Sequence, residues 1–272
     1  MKVNPKAYTK MLADLEASAA AYTCPYCGAT TRSITDAFFC SGCESFVPSA
    51  KALSQEETKR ASEIRALVKN NNFAQAEQAY ESAGDYLSNP YLAYAEALAC
   101  IAESNYEESQ INYALGGFME ENTTHRRNSH AAFSKARLLF TKSIYSAKKS
   151  IEGGSEIVNY LHAMFMSYVR LDDLKAADSV LKKTQKLDEL VSEYESMVLD
   201  SNMGNYTSAA KHAEKLLSKE AFVVNAAYYL AHADFKMKRS KDSLSLLEAF
   251  PGKADNDTVL ALINEIRKAA VL

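Results

Sequence analysis

The chain has 272 residues, of which 47% are hydrophobic and 24% are charged, and its formal net charge is −3 at pH 7. These proportions indicate an ordinary soluble protein with enough chain for one large domain or two modest ones. No apolar run approaches the roughly 18 residues of a membrane span, and nine glycines and five prolines are too few for a turn-rich sheet fold.

Residues 1–20 are predicted to form a short helix. Asn4 followed by Pro5 is typical of a helix start, and apolar side chains recur behind it at helical spacing. Charged side chains are spread through this stretch, which leaves no uncharged apolar segment of the kind that a signal peptide carries. We therefore expect a cytoplasmic protein.

Residues 21–48 carry the sharpest chemical signal, two CxxC pairs separated by twelve residues. The four cysteines are Cys24, Cys27, Cys40 and Cys43. Each pair can point two sulfurs at one metal, and strand-forming residues between the pairs can bring the second pair opposite the first. The segment resembles a zinc ribbon, and the resemblance implies a structural Zn²⁺ that supplies the free energy for folding.

Two other kinds of site use the same residues. Cys24, Pro25, Tyr26 and Cys27 match the active-site tetrapeptide of glutaredoxins, although a second CxxC follows here instead of a βαβ framework. An iron site of the rubredoxin type has the same four ligands. Cys100 stands alone in an apolar stretch and is expected to be a core residue.

A repeat unit of two predicted helices recurs along residues 54–272. Its second helices are marked by Phe73, Tyr106, Leu174, Tyr206 and Ser240, with steps of 33, 68, 32 and 34 residues, where 68 is two periods with one degenerate copy. We therefore predict one helix for residues 91–103 and a separate one for residues 105–119.

The period of 34 and the phrases NYTSAAKHAEKLL and NNFAQAEQAYESA resemble the tetratricopeptide repeat. The fold that this implies is mainly α, an α-solenoid of helical hairpins behind a small ribbon with short β-hairpins. The sequence departs from the repeat, since it has no Trp, and Phe165, Ala97, Met197 and Ala231 stand where the family usually has Gly. An irregular helical bundle with coincidental spacing is the alternative.

The resemblance also implies a partner-binding groove lined by the first helices of the repeats. The matching positions include three in the unit near residue 159 and four in the unit near residue 225. These are Asn159, His162, Arg170, Asn225, Tyr228, His232 and Lys236. Amide and basic groups at such positions can hold a carboxylate of a peptide partner, and each residue can equally be a plain surface side chain.

Residues 122–151 contain seven Lys or Arg residues and no Asp or Glu. We predict a polar loop over residues 120–128, followed by one long helix to about residue 150. Lys135, Lys142 and Lys149 lie seven residues apart and would form one stripe that can attract an anion. The alternatives are a merely solvated face or pairing with an acidic neighbour.

These patterns lead to two functional hypotheses. The first is a non-catalytic zinc-binding adaptor whose helical surface binds a protein or peptide. The second is a nucleic-acid- or ribosome-associated factor that uses the ribbon and the basic helix of residues 126–149. The sequence has no Gly-rich phosphate loop, no GxSxG and no paired His spacing, so we expect neither an enzyme nor a membrane protein.

Overall fold

The computed structural model describes residues 20–33, 38–40, 42–47, 55–83, 89–113, 119–154, 157–219, 222–249 and 257–271. Most of these residues are helical. The helix predicted within residues 1–20 lies outside the described residues, except for Ala20, which begins a strand.

Residues 20–47, called the cysteine segment from here on, contain four short strands. β1 (Ala20–Thr23) pairs with β2 (Thr30–Ser33), and β3 (Phe38–Phe39) pairs with β4 (Phe46–Val47), both in antiparallel fashion. Each two-stranded sheet is too small to be stable alone, so the segment needs support from a metal or from the helices.

Eleven helices follow in the part of the chain that the structure describes. They are α1 (Gln55–Lys69), α2 (Phe73–Ala83), α3 (Pro90–Tyr113), α4 (Met119–Glu152), α5 (Ile157–Arg170), α6 (Leu174–Thr184), α7 (Glu189–Asn202), α8 (Tyr206–Leu216), α9 (Val223–Lys236), α10 (Ser240–Glu248) and α11 (Asp257–Val271). Each helix packs against the next, and α3, α5, α7, α9 and α11 also contact one another in sequence.

Four of the helix pairs share one turn geometry. The turn residue has a left-handed φ of 59° at Asn71, 62° at Asp172, 79° at Gly204 and 64° at Lys238, always two residues before the second helix begins. The next N–H then donates to a carbonyl five residues back, for example from Asp173 to Tyr168 at 2.9 Å. This is the Schellman arrangement, which satisfies carbonyl groups at a helix end.

The turns place α2, α6, α8 and α10 at Phe73, Leu174, Tyr206 and Ser240, which confirms the predicted starts. The Asp173 carboxylate accepts a hydrogen bond from the amide of Ala176 at 3.0 Å, so one of the free N–H groups at the start of α6 is also capped.

Two predictions between these pairs are wrong. α3 continues through Tyr106, because residues 103–107 contain no Gly or Pro and Asn105 alone does not end a helix. α4 begins at Met119, so residues 120–128 are helical rather than a loop. Their polar side chains suit the solvent-facing side of a helix as well as a loop, and polarity alone could not separate the two.

Candidate metal centre and the inner face

The two CxxC turns have the same backbone hydrogen bonds. Gly28 donates to the carbonyl of Cys24 at 2.9 Å, and Glu44 donates to the carbonyl of Cys40 at 2.8 Å. The residue after each pair is left-handed, with φ of 71° at Gly28 and 60° at Glu44. The first turn uses the residue suited to that conformation, whereas the second holds a glutamate in it.

The four cysteine sulfurs lie together, all within 4.8 Å of one another. The Sγ atoms of Cys24 and Cys43 are 3.7 Å apart, and those of Cys27 and Cys40 are 3.6 Å apart. A tetrahedral Zn²⁺ with Zn–S bonds of about 2.3 Å requires sulfur separations of about 3.8 Å. All four are free thiols rather than disulfides, so the donor set and its spacing fit a zinc ion.

Hydrogen bonds surround the sulfurs of the second pair. The amides of Gly42 and Cys43 point at Cys40 Sγ from 3.3 and 3.5 Å, and the Ser45 hydroxyl lies 3.1 Å from Cys43 Sγ. Such donors stabilise thiolates. They also fix the direction of the sulfur atoms before any metal binds.

The thiols of Cys24, Cys27 and Cys43 affect one another's ionisation. Burial opposes ionisation of Cys24, but hydrogen bonds from Cys27, Cys40 and Cys43 outweigh it and lower the pKa of Cys24. Hydrogen bonding to Cys24 in turn raises the pKa of Cys27 and of Cys43. A divalent cation supplies the charge that would let all four act as thiolates.

The inner face, defined here as the surface of α3, α5, α7 and α9 that the cysteine segment covers, receives an aromatic side chain from that segment. Phe39 is 2% exposed, and its ring centroid lies 4.3 Å from that of Tyr194 and 5.1 Å from that of Phe222. Tyr26 stacks on Tyr91 at 5.0 Å. The buried cysteines therefore belong to the same hydrophobic core as the helices.

Glu44 joins the second CxxC turn to three helical side chains. Its carbonyl oxygen accepts a hydrogen bond from His162 Nε2 at 2.8 Å, and its Oε1 accepts one from the Tyr229 hydroxyl at 3.2 Å. The Arg170 guanidinium lies 3.5 Å from its Oε2. α5 and α9 therefore hold both the backbone and the carboxylate of this turn.

His162 is completely buried, and its second nitrogen faces another buried group. Nδ1 lies 3.1 Å from Oε1 of Glu195 on α7, and both side chains are 0% exposed. Burial raises the pKa of Glu195, although its hydrogen bond with His162 opposes that rise. This contact therefore links α5 and α7 beneath Glu44.

The other predicted groove residues divide between buried and accessible positions. Asn159 accepts a hydrogen bond from the Tyr91 hydroxyl at 2.6 Å, and Asn225 donates to the Tyr194 hydroxyl at 3.4 Å. Lys236 is ion-paired with Glu265 at 3.3 Å. Asn159 and His162 are thus occupied inside the protein, and only part of the predicted set remains open to a partner.

A cavity of about 450 Å³ remains between the cysteine segment and the inner face. It is lined by residues of α5 and α9 that were predicted to form the partner-binding groove, and by side chains of α1, α7 and α11. The lining includes Arg65, Arg170, Asn202, Asn225, Tyr228 and His232. Arg170, Asn225, Tyr228 and His232 therefore line one opening.

The predicted lysine stripe is only partly free. Lys135 forms an ion pair with Glu77 and lies 3.4 Å from Glu96, so it is the residue that pairs with an acidic neighbour. Lys142 and Lys149 are exposed, and the described residues give neither a carboxylate partner. Cys100 is buried, as expected.

The sequence patterns did not identify the residues that join the cysteine segment to the helices, chiefly Phe39, Glu44 and Tyr229. One signal was present in the second CxxC pair, which is followed by Glu44 where the first is followed by Gly28. A charged residue at a position that favours glycine indicates that its side chain is used.

Among the helices described, none is both long enough and apolar enough to cross a lipid bilayer. Comparisons with protein-family models, curated proteins and solved structures gave no significant match to this chain.

Proposed function

We propose that the chain is a non-catalytic zinc-binding adaptor in which a ribbon is held on a tetratricopeptide-like array and a protein partner binds beside it. The observation that carries this proposal is the cavity between the cysteine segment and the inner face, because it gathers polar side chains from both parts. Such an opening offers a partner both directional donors and a shaped surface.

The metal part of the proposal rests on the four sulfurs. Cys24, Cys27, Cys40 and Cys43 would hold one Zn²⁺, which would leave no open coordination position for a substrate. The ion would cross-link two CxxC turns that carry very little core of their own. Its role is therefore structural, to present Phe39 and Glu44 to the inner face.

The repeat part rests on the four equivalent Schellman turns and on the contacts between helices. α5, α7, α9 and α11 contact one another in order, while α6, α8 and α10 pack against them as second helices. These nearest-neighbour contacts support the proposal of stacked hairpins. α3 and α4 are longer than one repeat helix and would replace the degenerate copy.

The partner would contact the open part of the cavity. Tyr228 and His232 lie on α9 with their rings stacked, at a centroid distance of 6.5 Å. Burial lowers the pKa of His232, and the neighbouring Lys236 lowers it further. His232 is thus favoured in its neutral form at pH 7, in which it can both donate and accept a hydrogen bond.

A photo-crosslinking side chain placed at Tyr228 tests this assignment. A second protein with the same group at Leu187, an exposed residue 53% accessible on another part of the chain, is the matched control. We expect one protein from source cells to crosslink from position 228 and not from 187. Purified with the chain, that protein should lose affinity at least tenfold on Tyr228→Ala and be unaffected by Leu187→Ala.

Equal crosslinking from both positions, or unchanged affinity of the Tyr228→Ala variant, would remove the cavity from the proposal. A purified chain with an intact metal site that crosslinks nothing at position 228 would count against an adaptor.

A further inference from the structure

The exposed side of α4 carries cations together with large apolar side chains. Residues 122–151 contain seven Lys or Arg residues, and six of them are exposed. Among the described residues, none of these six has a carboxylate partner. They are Arg126, Arg127, Arg137, Lys142, Lys148 and Lys149. Phe133, Leu138 and Tyr145 lie among them and are 45%, 57% and 58% exposed. These nine residues are called the basic face below.

The basic face is a single surface. At 100° per residue, its members fall within about half of the helix circumference, and residues 126–149 span about 35 Å along the axis. The opposite side of α4 is buried, since Ala136, Leu139 and Phe140 lie in the core and α4 packs on α3 and α5. The exposed rings of Phe133 and Tyr145 are therefore not part of the surface by which α4 packs on α3 and α5.

Among the described residues, the carboxylates that pair with α4 side chains contact residues outside the basic face. Glu77 and Glu96 pair with Lys135, and Glu107 lies 2.6 Å from His125. No acidic residue occurs between residues 122 and 151. Six cations that have no carboxylate partner among the described residues thus lie along about 35 Å of α4, an arrangement that favours a polyanion.

A cleft continues this surface between α3 and α4. Its volume is about 430 Å³, and it is lined by Glu108, Ile111, Arg126, Ser129, His130 and Phe133. Glu108 accepts a hydrogen bond from Ser129 at 3.2 Å. An apolar side chain, an aromatic ring and a carboxylate acceptor beside an arginine suit a planar base with amino groups.

We propose that the basic face binds single-stranded nucleic acid, with the lysines and arginines on phosphates and with Phe133 and Tyr145 as stacking platforms. Exposed aromatics interleaved with cations are the combination by which proteins hold unpaired strands. An anionic membrane would need the apolar side chains segregated on one side of the helix. On α4 that side is already packed inside the protein.

The test measures binding of a fluorescent oligodeoxycytidylate of about 16 nucleotides, whose bases carry amino groups, by anisotropy over a salt series. Because up to six phosphates can be neutralised, log K should fall with log salt with a slope of up to about −4. Lys142→Glu with Lys149→Glu should abolish binding in physiological salt. The matched control, Lys175→Glu with Lys211→Glu, makes the same charge change on exposed sites of α6 and α8 and should bind nearly as the unmodified chain does.

The rings provide the second readout. Tyr145→Ala should weaken binding about tenfold, whereas Tyr145→Phe should retain it. We expect the circular dichroism of each variant to match that of the unmodified chain, because Tyr145 and both lysines are exposed.

Several results would overturn the proposal. Absence of saturable binding at low salt is one, and equal loss in the lysine control is another. Unchanged affinity of Tyr145→Ala, together with equal competition by polyglutamate, would assign the face to an acidic protein. Binding to anionic vesicles but not to the oligonucleotide would assign it to a membrane. Neither Tyr228 nor the cysteine segment belongs to the basic face, so these experiments do not test the adaptor proposal.

Discussion

His162 donates a hydrogen bond from Nε2 to the carbonyl oxygen of Glu44 across 2.8 Å, and so links a buried imidazole of α5 to the residue that follows Cys43. Its Nδ1 faces Glu195 at 3.1 Å. One side chain therefore holds together the second CxxC turn, α5 and α7. The contact joins positions 118 residues apart in the chain.

Replacing His162 by Ala should destabilise the protein strongly. The change leaves the buried Glu195 carboxyl without its partner and removes the donor to Glu44. Each buried group that loses its hydrogen bond costs about 1–3 kcal/mol. We expect the free energy of unfolding in urea to fall by about 2–5 kcal/mol.

The control for this substitution is His130→Ala, because His130 is exposed on α4. It should change the free energy of unfolding by less than about 0.5 kcal/mol. A His162→Ala protein as stable as the His130→Ala protein would show that the buried pair does not support the turn.

Two substitutions at Glu44 separate backbone strain from side-chain contacts. Both Glu44→Ala and Glu44→Gly remove the contacts with Tyr229 and Arg170, but only glycine adopts φ of 60° without steric cost. We therefore expect the Gly variant to be more stable than the Ala variant by about 1 kcal/mol. Thermal unfolding of the two variants side by side measures this difference, and an Ala variant equal to or more stable than the Gly variant contradicts the left-handed turn.

Gly28→Ala should detach the cysteine segment from α1. A Cβ atom at this position would lie 1.7 Å from the carbonyl oxygen of Ala61, and φ is 71°. Gly204→Ala is the matched control, since φ is 79° there and no atom lies within 4 Å of the added Cβ. The control should cost only the left-handed backbone, about 1 kcal/mol.

Limited proteolysis of the two glycine variants distinguishes the cases. We expect rapid cleavage within residues 20–47 of Gly28→Ala and none in Gly204→Ala. Equal resistance of both variants would mean that the segment does not pack closely on α1.

Removing the metal should release the segment while leaving most helices folded. After chelation, the amides of Cys24, Gly28, Cys40 and Glu44, which are hydrogen-bonded in the two turns, should exchange hydrogen quickly. Amides of α7 should remain protected, because this helix also packs on α5, α6, α8 and α9. Hydrogen exchange followed by mass spectrometry measures both, and unchanged exchange within residues 20–47 would show that the metal is not needed for folding.

Local patterns predicted the cysteine cluster and the starts of α2, α6, α8 and α10, since ligand spacing and helical periodicity are properties of neighbouring residues. Local patterns could not predict that Phe39 and Glu44 contact the inner face. This contact depends on which helices face one another, and that information lies in tertiary packing. For the same reason, Asn159 and His162 looked like accessible groove positions although they are buried beneath the cysteine segment.

The continuous α3 shows the limit of the repeat argument. Tyr106 stands in phase with the second helices, yet α3 runs through it to Tyr113. Periodicity identifies which residues face inward, and these are the same for one long helix and for two helices in register. Only a turn residue or a breaker distinguishes them, and none occurs between residues 103 and 107.

X-ray absorption at the zinc edge of the purified chain tests the central claim most directly. With one zinc per chain, four sulfur neighbours at about 2.3 Å and no nitrogen or oxygen ligand are expected. A mixed nitrogen or oxygen shell, or a well-folded segment of residues 20–47 with no bound metal, would contradict the account.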